Sequence, residues 1–159
     1  MKEEVKKYRF NTPFLFLFAL IFAGMILAAG CTSPAGQSKT AGFSSPAETV
    51  EVYHFHPTNG CRSCTTVGEY AEETVKEYFP GELKSGKLVF DHINYQDEAN
   101  AELVQRYGVT GSSLMIGVYN KTTFSRESNH KVWYMTGNKT QYKEYLKGVI
   151  SQRLAGDLS

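Results

Sequence analysis

Two cysteines three residues apart, Cys61 and Cys64, are the side chains in this sequence whose type and spacing best suit chemistry. If they open a helix, their Cα atoms stand roughly 5 Å apart by helical rise and radius, a separation that a disulfide tolerates. As a staple the bond would do little, because the chain-entropy contribution of so short a loop is only about 2 kcal/mol against about 3 for fifteen residues. Redox exchange or metal ligation is therefore the better reason for the pair. A cysteine at a helix N-terminus gains from free backbone N–H groups and the positive end of the helix dipole, and Arg62 adds a neighbouring cation. Cys61 is accordingly expected to attack as the nucleophile. Cys64, one turn in, is expected to resolve the mixed disulfide that Cys61 forms.

The compartment weighs between the two chemistries, and the N-terminal residues point to an oxidising one. Lys2, Lys6, Lys7 and Arg9 form a positive start, Phe14 to Ile26 is an almost unbroken apolar run, and Ala28, Ala29 and Gly30 lead into Cys31. This is the layout of an export signal. Its end resembles a lipoprotein signal, and the resemblance implies cleavage before Cys31 and a lipid on the Cys31 thiol. The alternative is an uncleaved helix, since Pro13 to Gly30 is long enough to span about 30 Å of hydrocarbon. Either way the expectation is a protein on the extracytoplasmic face of the cell membrane, held by a lipid anchor or an N-terminal helix. With Cys31 so assigned, Cys61 and Cys64 have only each other.

Organisation follows from composition. Residues 1–31 are the expected signal, and residues 32–47 are Ser, Thr, Ala, Gly and Pro with almost no large apolar side chain, a flexible linker. Residues 48–155 are rich enough in Val, Ile, Leu, Phe and Tyr for one small core, and 156–159 are a tail. Residues 1–30 hold four of the 17 Lys and Arg and two of the 16 Asp and Glu, so the formal charge of the remainder is −1. There is no basic footprint for nucleic acid. No Gly-rich turn between a strand and a helix suggests a flavin or nicotinamide site, so no cofactor is expected.

Periodicity predicts a strand over Thr49–His56, a helix from Cys61 to Phe79 stopped by Pro80-Gly81, and a strand over Lys87–Tyr95. A helix begins near Asp97 and stops at Gly108. Strands over Ser113–Asn120 and His130–Thr136 are joined by a polar loop, Lys121–Asn129. A last helix covers Lys139–Leu154. The expected fold class is α/β, in the order β-α-β-α-β-β-α, with a four-stranded mixed sheet flanked by helices.

The strand-turn-CxxC-helix arrangement resembles the thioredoxin superfamily over essentially the whole domain from Val50 to the last helix. More narrowly, Tyr53-His54-Phe55-His56, the CxxC, and Glu82-Leu83-Lys84-Ser85-Gly86-Lys87-Leu88 resemble small prokaryotic thioredoxin-like proteins called nitrophenyl-compound nitroreductase subunit, ArsF family. The resemblance implies a thiol–disulfide oxidoreductase or electron carrier that passes electrons to a redox partner protein. It also places Ser112 and Ser113 in the loop facing the cysteines, with Ser113 where a cis-proline is usual. A non-proline cis peptide costs about 3 kcal/mol, so a trans or strained loop is expected. Asn59-Gly60 replaces the aromatic residue usual before the first cysteine.

His54 and His56 stand at i and i+2 on the first strand and so share a face. Together with Cys61 and Cys64 they make a two-nitrogen, two-sulfur set suited to zinc or copper(I), the alternative to redox exchange. Packing inside a hydrogen-bonded core is the leading reading of the two histidines, one of which could replace the buried acid that assists proton transfer in thioredoxins. His92 and His130 are read as structural or surface residues. Asn120-Lys121-Thr122 and Asn138-Lys139-Thr140 match the N-glycosylation pattern, and the ten tyrosines fit core packing.

Overall fold

The computed structural model describes residues 45–121 and 123–159. Cys31, the export signal and most of the expected linker lie outside them. Strand β1 (Thr49–His56) leads to helix α1 (Arg62–Tyr78), short helix α2 (Pro80–Ser85) and strand β2 (Leu88–Asn94). A 3-10 turn (Glu98–Asn100) opens helix α3 (Ala101–Tyr107), and β3 (Ser113–Asn120), β4 (Thr123–Ser128), a second 3-10 segment (His130–Met135) and α4 (Lys139–Leu154) complete the chain. The sheet order is β2-β1-β3-β4, with β1 parallel to β2 and antiparallel to β3, and β3 antiparallel to β4. This is the mixed four-stranded α/β arrangement with flanking helices that the sequence calls for.

Alternation along β1 sets the two faces. Val50, Val52 and His54 are all buried, and Val50 and Val52 pack with Val67, Ala71 and Val75 of α1 and Tyr142, Leu146 and Ile150 of α4. On the opposite face Phe55 packs with Ile93, Met115 and Tyr107 at the end of α3. Tyr142 crosses from α4 to donate its hydroxyl to the Val67 carbonyl at 2.7 Å, joining the two helices in the core.

Three local expectations are corrected. The fourth strand is not His130–Thr136 but the polar segment Thr123–Ser128, and the chain reverses directly after Asn120, with Lys121 at a positive φ of 55°. An edge strand needs backbone pairing more than apolar side chains, and here Phe124 alone stacks inward, on Tyr119. Val132-Trp133-Tyr134-Met135 instead forms a 3-10 segment that buries Val132 and leaves Tyr134 89% exposed. A short apolar run does not separate those outcomes by periodicity. The third correction concerns Pro80, which both ends α1 and starts α2, where its missing N–H costs nothing. Packing also extends beyond 48–155. Ala47 is buried, its N–H donates to the Leu154 carbonyl, and Leu158 packs against the core.

Gly117 of β3 lies opposite Glu51, whose carboxylate accepts the Tyr107 hydroxyl at 2.6 Å. A Cβ on Gly117 would fall 2.0 Å from that hydroxyl oxygen and 2.9 Å from Phe124. Gly117→Ala is expected to destabilise the fold by about 1–3 kcal/mol, the usual penalty of overpacking. The shift of the denaturation midpoint measures it.

Candidate functional site

Loop 57–60 carries the chain from β1 to the cysteines and is tied to the end of β2. The Thr58 N–H donates to Gln96 Oε1 at 2.9 Å, and Asn94 Nδ2 donates to Thr58 Oγ1 at 3.0 Å. Cys61 then sits as the N-cap of α1 in an extended conformation, and its sulfur accepts the Cys64 N–H at 3.2 Å. That sulfur takes the place of the hydroxyl or carboxylate oxygen that usually caps a helix. The free N–H groups of the first turn thus point to where a Cys61 thiolate would carry its charge. The two sulfurs are bonded to each other, with Cα atoms 5.1 Å apart. Cys61 is exposed, whereas Cys64 is buried one turn into α1, and Arg62 is exposed beside the pair.

Beneath α1 the structure gathers three histidines. His54 and His92 are direct partners across the parallel β1–β2 ladder, with their Nδ1 atoms 3.0 Å apart. The His54 and His56 rings stack at 5.5 Å, and His56 Nδ1 lies 3.0 Å from the Pro57 carbonyl oxygen. His92 Nε2 reaches Glu72 Oε2 of α1 at 3.5 Å. His54 is 3% exposed, and its Nε2 is buried without a hydrogen-bond partner. His54 packs against Gly68 of α1, where a Cβ would fall 2.2 Å from its Nδ1. A cavity of about 220 Å³ is lined by His54, His56, His92, Cys64, Thr65 and Glu69, among others.

Burial, and then the neighbouring His92 and His56, push the His54 pKa down from 6.5 to about 4, with the Cys64 backbone acting in the opposite direction. The ring is therefore neutral at pH 7. Because the unfolded chain binds this proton more readily, stability falls as pH drops from about 6.5 through about 4, by as much as about 1.4 kcal/mol per pH unit. A denaturation series across that range is expected to show this slope, and His54→Phe is expected to flatten it.

His54 and His56 are thus close to the CxxC, and His92, read from sequence as a structural or surface residue, joins them. His130 is exposed at the start of the second 3-10 segment. Among the described residues, no group of three or more His, Cys, Asp or Glu side chains is placed to hold a metal ion, and the two sulfurs pair with each other. Ser113 pairs with Phe55 at the end of the sheet from which β1 runs to the cysteines, and the peptide before it is trans. Asn120 is buried, its Nδ2 donating to Ser45 and Pro46, whereas Asn138 is exposed and caps α4. The Asn120 amide is therefore occupied in the fold. Among the described residues no helix is long and apolar enough to cross a membrane.

No family model matches the chain, and no curated protein matches it. Solved structures with a similar fold include a malarial protein (19% identity, 67% of this chain and 98% of that one, TM-score 0.41). A thioredoxin from Thermus thermophilus is 13% identical over 65% of this chain and 75% of its own, with TM-score 0.41. The zinc-bound form of human ERp44 is 20% identical over 67% of this chain and 26% of that one, with TM-score 0.42. With its strand order and a CxxC disulfide opening α1, the chain has a thioredoxin-like fold.

Proposed function

We propose that this protein is a thiol–disulfide oxidoreductase or electron carrier in which Cys61 attacks and Cys64 resolves. The observation that carries the reading is the asymmetry of the pair: Cys61 is exposed and its sulfur caps α1 by accepting the Cys64 N–H, whereas Cys64 is buried one turn in. An exposed thiol at a helix N-terminus reacts with an incoming disulfide, and a buried neighbour meets only the adduct. The substrate is a disulfide or dithiol on a partner protein. The resemblance to the ArsF-family thioredoxin-like proteins, the lipid on Cys31 and the extracytoplasmic placement complete the proposal, supported by the N-terminal sequence and the CxxC region.

Alkylation of the reduced protein by iodoacetamide, in a Cys31→Ser background, tests the asymmetry. Cys61 is expected to be modified first, at pH values below the ordinary thiol pKa of about 8.5, with Cys64 protected. Equal rates, or modification of Cys64 first, would overturn the assignment of roles.

A further inference from the structure

Asn120-Lys121-Thr122 and Asn138-Lys139-Thr140 carry the same acceptor pattern for an N-linked sugar, and the fold treats their amides differently. Asn120 is 8% exposed, and its Nδ2, the atom that would take the sugar, donates to the Ser45 carbonyl at 3.1 Å, to Ser45 Oγ at 3.0 Å and to the Pro46 carbonyl at 3.3 Å. A bulky glycan on that nitrogen would have no path to solvent and would break the tie between the chain before β1 and the end of β3. Asn138 is exposed, together with Gly137, Lys139 and Thr140. It stands just outside α4 in an extended conformation, with φ −138° and ψ 92°, and caps the helix through Oδ1, which accepts the Gln141 N–H at 3.1 Å. The cap engages the oxygen alone and leaves Nδ2 out of it. A Cβ built on Gly137 would meet nothing within 4 Å, so the space in front of the cap is open.

Resting on the extracytoplasmic placement rather than on the chemistry of the cysteines, we propose that Asn138 is an N-glycosylation site and that Asn120 is not. The donor is an oligosaccharide carried on a polyprenyl phosphate or pyrophosphate. Asn138 Nδ2 attacks the anomeric carbon of the first sugar, the new C–N bond forms as the C–O bond to the lipid phosphate breaks, and the lipid phosphate leaves as an anion. Nδ2 gives one of its two protons to a base of the transferase, and nothing is oxidised or reduced. The product is still an amide with its carbonyl oxygen, so Oδ1 keeps the α4 cap. Presenting the segment to a transferase costs little, because Lys139 and Thr140 lie in the first turn of α4 and helix ends fray. The ion pair from Lys139 Nζ to Glu73 Oε2 at 2.6 Å is at the surface, where such pairs contribute little. It also fixes where the glycan stands. Glu73 is about three turns along α1 from Cys61, about 18 Å by helical rise, so a glycan on Asn138 leaves the exposed sulfur open to a partner.

The full chain, produced behind its own N-terminal residues in a host that N-glycosylates its exported proteins, tests the assignment. Labelling of intact cells with a membrane-impermeant amine reagent reads export, and peptide fragmentation that leaves sugars on their residues reads each asparagine. The expected result is an exported chain heavier by a single glycan, carried on Asn138, with Asn120 bare. Thr140→Val removes the hydroxyl that the acceptor pattern requires and leaves the Asn138 cap in place. Asn138→Asp keeps the capping oxygen and removes the acceptor nitrogen. Each variant is expected to lose the glycan entirely while remaining folded and exported. An exported chain with Asn138 bare, or with a glycan on Asn120, would overturn the proposal, and so would a glycan retained on Asn138 in Thr140→Val. A chain kept in the cytoplasm with both asparagines bare would overturn the extracytoplasmic reading and this site with it. Exchange at the cysteines stands or falls separately, on the order in which iodoacetamide modifies them.

Discussion

Serine in place of Cys61 is expected to abolish exchange with any disulfide, because the exposed sulfur at the α1 N-terminus makes the first bond and a hydroxyl there is not a competent nucleophile. Cys64→Ser should behave differently. Attack by Cys61 survives, but no thiol remains one turn in to displace the adduct, so a mixed disulfide accumulates. Non-reducing electrophoresis is expected to show that adduct for Cys64→Ser, reversed by dithiothreitol, and none for Cys61→Ser. Turnover by Cys61→Ser at the wild-type rate would contradict the assignment. If neither variant changed anything, the pair would be a bystander to the protein's role. The helix itself should tolerate Cys61→Ser, since Cys61 is the N-cap and serine caps an N-terminus at least as well as cysteine.

The second large effect belongs to Gly68. Alanine in a helix interior is ordinarily favoured over glycine by about 0.8–1.0 kcal/mol, and at Gly148 of α4, where a Cβ would meet nothing within 4 Å, that gain is expected. At Gly68 the added Cβ would fall 2.2 Å from His54 Nδ1 and 2.9 Å from its Cγ. The imidazole is short, buried and held against His92, so it has no flexible end to give way. Gly68→Ala is therefore expected to destabilise by about 1–3 kcal/mol and to separate His54 from His92, whereas Gly148→Ala stabilises slightly. Paired chemical denaturation curves read the opposite signs, and a stabilised Gly68→Ala would show that His54 is free to move.

Much of this arrangement was legible in the chain. Strand β3 and helix α4 occur over the spans that the sequence assigns, β3 as a short and nearly continuous apolar run and α4 through the buried Tyr142, Leu146 and Ile150 at four-residue spacing. The CxxC at the start of α1 follows from its spacing and from the apolar helical pattern that begins after it. What escaped depended on partners distant in sequence. His92 looks like a lone strand histidine until the register Val50↔Leu88 carries it opposite His54, and register is a property of the paired strands rather than of either alone. Gly68 carried a signal that went unread: a glycine inside a strong helical pattern often marks close packing. Strand β4 escaped because its side chains are polar, and an edge position asks little more of it than backbone pairing.

The most direct test of the central claim is a redox titration of the purified protein with Cys31 replaced by serine, trapping free thiols at defined glutathione or dithiothreitol ratios without added metal. A reversible two-electron transition between about −120 and −300 mV is expected, the range spanned by exchange catalysts and carriers. Its position would say whether the pair works as oxidant or reductant. Thiols that stay reduced across the whole range, or that become titratable only once a chelator is added, would contradict the account and return Cys61, Cys64 and the neighbouring histidines to metal binding.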